Sequence, residues 1–99
     1  MNESRIIISQ SHEITMIIAK NTCKVVEIEN SVLKLSEIFK SMNDLATNEV
    51  NEGWSNYYIE RSIFIQNEIK DLVQQAVKIQ EESIELDEAV NFLKTELNN

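Results

Sequence analysis

The stretch Ile14–Ala46, ITMIIAKNTCKVVEIENSVLKLSEIFKSMNDLA, repeats an apolar pair every seven residues. Ile18, Val25, Val32, Phe39 and Ala46 fall on one position of the repeat, a. Ile14, Asn21, Ile28, Leu35 and Met42 fall on the position four places earlier, d. Seven-residue spacing places both series on one stripe of an α-helix, the stripe two helices bury against each other. Asn21 is the single polar member; a seam asparagine restricts the register in which helices meet, at some cost in stability.

Working outward, 47–54 (Thr-Asn-Glu-Val-Asn-Glu-Gly-Trp) interrupts the repeat with polar residues and the chain's only glycine, Gly53. This marks a turn. The repeat resumes with Tyr58, Ile65, Leu72, Ile79, Leu86 and Leu93 at d, and Ser62, Ile69, Ala76, Ser83, Val90 and Leu97 at a. Large d beside small a residues allow close approach. The expected organisation is an extended N-terminal arm over 1–10, with Ser9 or Ser11 as helix cap, and a helical domain over 11–99. Within it helix 1 spans about 11–46, the turn about 47–54 and helix 2 about 55–97. Two long helices joined by a short turn fold back as an antiparallel pair. The alternative is one unbroken helix, in which Gly53 would cost only about 1 kcal/mol relative to alanine.

Composition agrees with an all-α chain. In 99 residues there is no proline, one glycine and one cysteine, Cys23, so turn-rich β folds and internal disulfides are disfavoured. The net charge is −8, without the basic stripe of a nucleic-acid binder. No apolar run reaches the ~20 residues of a membrane-spanning helix, and the first residues lack a signal-peptide pattern. The expectation is a protein folded in a reducing cytoplasm, leaving the cell, if it does, without a cleaved signal.

Residues suited to catalysis do not assemble. His12-Glu13 begins a zinc-helix pattern, but Met16 stands where the second histidine belongs. Cys23 has no histidine nearby in sequence. The acidic run Glu81, Glu82, Glu85, Asp87 and Glu88 lacks the Glu-x-x-His pairs of a di-metal bundle, and reads as a solvated helix face. No enzyme activity, catalytic residue, metal or cofactor is expected.

A partner is expected. Ile59, Ile63, Val73, Val77 and Ile84 occupy e and b positions of helix 2, a second stripe about 100° from the seam. Ile17, Ile38, Leu45, Val26 and Leu33 flank the seam of helix 1. A lone hairpin leaves these in water unless bent helices close both stripes within the monomer. Association into a four-helix bundle, by homodimerisation or with a similar hairpin, covers them. Tyr57, Phe64 and Phe92 share position c and are candidate anchors for a partner.

Three features together carry a family resemblance: about 100 residues of helix–turn–helix, Trp54 at the central turn, and Phe92-Leu-Lys-Thr-Glu96, an aromatic followed four residues on by an acid. The chain resembles the WXG-type small helical hairpins of bacterial type VII secretion and the related small partners of LXG toxins. Its order, Gly53-Trp54 in place of Trp-x-Gly, points to a divergent member or a toxin partner. The resemblance implies a protein that binds another hairpin or the helical N-terminal domain of a toxin, with a secretion ATPase as a further partner. It also implies that Phe92 and Glu96 form an export signal, and that Gly53 and Trp54 shape the turn. The second stripe, with Tyr57 and Phe64, would hold the partner. The competing expectation is a coiled-coil adaptor unrelated to secretion.

Overall fold

The computed structural model describes residues 2–98, with side chains for 3–98; Met1, the first residue of the expected arm, and Asn99 lie outside the described residues. The chain is an all-α, two-helix hairpin: α1 spans Asn2–Asn48 and α2 spans Glu52–Asn98, with no strand among the described residues. It divides into two compact units, each pairing a segment of α1 with a segment of α2. One unit is residues 27–76, around the connection; the other combines α1 up to Val26 with α2 from Val77 onward.

The seven-residue repeat decides which side chains turn inward. On α1 every side chain that is not exposed falls at a or d, and the series continues back from Ile14 through Ser11 to Ile7. On α2 the same positions are covered from Ser55 to Leu93, joined by Glu68 and Ala89 at g. Among the described residues only Val25, Ile65 and Val90 are buried hydrophobics, at 5–9% exposure. Two helices meeting along one line cover one stripe each, so this core is thin.

Four expectations need correction. The arm over 1–10 is helical from Asn2. Nothing in it breaks a helix, Glu3 in the first turn favours the positive end of the helix dipole, and Ile7 already sits on the seam. The connection is only 49–51, shorter than the expected 47–54. Gly53 and Trp54 therefore belong to the first turn of α2, and Gly53 has no positive φ. Asn51 is the residue that ends the turn. Its Oδ1 accepts the Trp54 N–H at 3.1 Å, and its carbonyl accepts the Ser55 N–H at 2.9 Å, which starts the helix. Last, Leu97, expected in the seam, is exposed, because it lies in the final turn of α2.

Ser55 also closes the other helix. Its hydroxyl donates to the Ala46 carbonyl at 2.9 Å, satisfying one of the carbonyls that α1 leaves free at its C-terminal end. In the unit containing the termini, Asn21 is 4% exposed, and its Nδ2 donates to Glu82 Oε1 and Ser83 Oγ, each at 3.3 Å. The seam asparagine thus uses both amide hydrogens across the helix pair, which favours the register that provides those acceptors.

Candidate docking surface

Each expected partner-binding residue is exposed. Ile59, Ile63, Val73, Val77 and Ile84 lie between 43% and 60% exposure, so the second stripe is open in each unit. Their placement follows from the repeat. With d and a turned inward, e and b project to one flank of α2, carrying aliphatic side chains beside the seam.

Ile59, Ile63 and Val73 belong to the unit of residues 27–76. There the e and b positions read Asn56, Ile59, Ile63, Gln66, Lys70 and Val73, a row with one charge and no carboxylate. Glu60, Glu68 and Asp71 all fall on f, g or c. In the unit containing the termini the row continues as Val77, Gln80 and Ile84 and then meets a carboxylate, Asp87 at e, while Glu81 and Glu82 fall on f and g. A chain of net charge −8 thus keeps its acids off the stretch from Asn56 to Ile84, with Glu52 and Asp87 at e beyond its two ends. Covering the flank therefore desolvates few ions, and each aliphatic side chain contributes roughly 1.5–3 kcal/mol when fully buried.

Tyr57 and Phe64 are exposed as well, but at c they face away from the aliphatic row. One partner helix lying along the aliphatic flank does not cover them. Tyr57 meets Trp54 edge-on, with ring centroids 5.8 Å apart, and Tyr58 with centroids 5.6 Å apart. These contacts fix an aromatic cluster over the start of α2. Trp54 remains exposed in it. By heptad register, g positions of antiparallel helices share a face, so Ile38 and Leu45 of α1, both exposed, lie on the Tyr57–Phe64 side.

Sequence reasoning missed Arg61, whose Cζ lies 5.4 Å from the Phe64 ring centroid. Its i, i+3 spacing to Phe64 was the available signal. Glu82 was read only as part of a solvated acidic run, yet it is one of the two acceptors for Asn21. A pairing across helices 61 residues apart leaves no mark in local spacing.

In the unit containing the termini, Phe92 is 64% exposed and Glu96 is exposed one helical turn further on. The two stand on one helix face, as i and i+4 residues do. A cleft of about 150 Å³ beside Asn21 is lined by Thr22, Val25, Gln80 and Ser83 and opens to solvent. Among the described residues no three or more His, Cys, Asp or Glu group as a metal site, and no helix is long and apolar enough to cross a membrane. Cys23 is a free, exposed thiol.

The chain matches no protein-family model, no curated protein and no solved structure.

Proposed function

We propose that this chain is a small helical partner protein. It binds a second helical hairpin, or the helical N-terminal domain of a toxin, and contributes an export signal for type VII secretion. The observation that carries the binding part is the aliphatic row of α2, free of carboxylates from Asn56 to Ile84, with Ile59, Ile63, Val73, Val77 and Ile84 in solvent beside a core of three buried hydrophobic residues among the described residues. Such an exposed stripe is a typical protein interaction surface. A partner helix laid along it completes a bundle of the ordinary kind, with ridges of aliphatic side chains filling grooves on the facing helix.

The export part rests on the resemblance and on the accessibility of Phe92 and Glu96. Both point outward, so a reader such as a secretion ATPase would reach them without disturbing the seam. The two roles use different side chains and separate experimentally. In cells that carry the secretion system, Phe92→Ala is expected to abolish export while co-purification with the helical partner persists. Unchanged secretion would remove the signal assignment. Ile63→Asp is expected to do the reverse to the complex, releasing the partner while far-UV circular dichroism of the isolated chain stays helical. Retention of the partner by that variant would remove the docking assignment.

A further inference from the structure

Within residues 27–76, the flank of α2 that faces away from the aliphatic row carries Tyr57, Arg61, Phe64, Glu68 and Asp71 at successive c and g positions. The order is self-complementary about Phe64. Tyr57 lies seven residues before it and Asp71 seven after; Arg61 lies three before and Glu68 four after. A two-fold axis through Phe64, perpendicular to the helix, brings an antiparallel copy into a register where each group meets its complement. Phe64 meets Phe64, Arg61 meets Glu68, and the Tyr57 hydroxyl meets the Asp71 carboxylate, each unlike pair occurring twice. This is the reciprocal relation of a two-fold interface, where residue i meets j and j meets i.

We propose that a second copy of this chain docks antiparallel on this row. Phe64 is half-exposed at its centre, and the Arg61 guanidinium sits 5.4 Å from the ring centroid. The exposed Ile38 and Leu45 of α1 add aliphatic surface on the same face toward the turn. Charge decides between the two flanks. Two chains of net charge −8 repel each other, so self-association needs a face whose charges match. On the aliphatic row, Lys70 is the one charge between Asn56 and Val73, and a two-fold axis through Ile63 sets it against the uncharged Asn56 of a second copy. On the Phe64 row, Arg61 precedes the ring and Glu68 follows it, so cation meets anion twice in the two-fold register. Self-pairing there does not rest on the secretion reading, and it leaves Ile59, Ile63 and Val73 free for a different partner.

The test is sedimentation equilibrium of the full chain over a concentration series, with helicity followed by far-UV circular dichroism. The wild-type chain is expected to show a concentration-dependent dimer, and Phe64→Asp a monomer of unchanged helicity. Arg61→Glu and Glu68→Arg are each expected to weaken dimerisation by about tenfold, since two rim ion pairs become like-charge contacts. The double variant Arg61→Glu/Glu68→Arg is expected to restore wild-type dimerisation, which tests the register even if Phe64→Asp perturbs folding. Ile63→Asp is expected to leave the dimer intact. A wild-type chain that stays monomeric overturns the proposal. So does a dimer indifferent to the single charge reversals, a double variant that stays as weak as either single, or a dimer dissolved by Ile63→Asp.

Discussion

Ile63 and Ile65 are two residues apart on α2 and chemically identical, yet the fold gives them opposite surroundings. Ile65 is at 6% exposure on the seam and Ile63 at 51% on the aliphatic flank. Truncating each to alanine measures that difference. Ile→Ala at a buried position costs roughly 2–5 kcal/mol, the transfer term plus the void left behind. The layer here is only two helices thick, so the void is partly filled by collapse, and the expected cost for Ile65→Ala is about 2–3 kcal/mol. At Ile63 about half of the side chain is already in water. The transfer loss there is about 1 kcal/mol, and the higher helix propensity of alanine returns about 0.4 kcal/mol of it. Ile63→Ala should therefore lie within about 0.6 kcal/mol of wild type, a gap between the two sites of about 2 kcal/mol. Urea unfolding followed by circular dichroism at matched protein concentration reads this gap as a midpoint shift at constant slope. Equal costs at the two sites would refute the reasoning. They would mean that the isolated protein already covers Ile63, and the exposed row would no longer call for a partner.

Three further outcomes follow from local geometry. Asn51→Ala removes the acceptor for the Trp54 N–H and should lower stability by about 1 kcal/mol, as loss of a helix N-cap does. A Cβ at Gly53 would lie 3.2 Å from that same Asn51 Oδ1. Gly53→Ala should therefore gain little in the wild type but up to about 1 kcal/mol in the Asn51→Ala background, and thermal melts of the four variants read this coupling. Asn21→Leu places an apolar residue on the seam and frees Glu82 and Ser83 beside an open cleft that water can enter. The expected result is equal or higher melting temperature with loss of a single register, visible as broadened amide resonances; an unchanged, sharp spectrum would show that the asparagine does not select the register.

The helical seam was legible because its signal is local. Residues from Ile14 to Ala46 and from Tyr58 to Leu93 repeat every seven, and a helix of 3.6 residues per turn places such a series on one side. The exposed flank was legible for the same reason: once a and d turn inward, e, b and c have nowhere to go but out. The helix ends were not. Whether 2–10 join α1, or whether Gly53 and Trp54 belong to the turn or to α2, depends on balances of about 1 kcal/mol among caps, propensities and seam contacts. Ile7 was available at the correct spacing, but its cover on the seam comes from helix pairing.

The sequence by itself thus determined that the chain is helical, which stripe is buried, and which hydrophobic side chains are left over, since periodicity is a property of one helix. Only the tertiary structure decided that Asn51 caps α2, that Ser55 closes α1 through Ala46, and that Asn21 is satisfied by Glu82 and Ser83. Bonds from Ser55 to Ala46 and from Asn21 to Glu82 and Ser83 join segments that meet only when the chain folds back. The Asn51 cap depends on where that fold-back occurs, and no window of residues along a single helix contains that information.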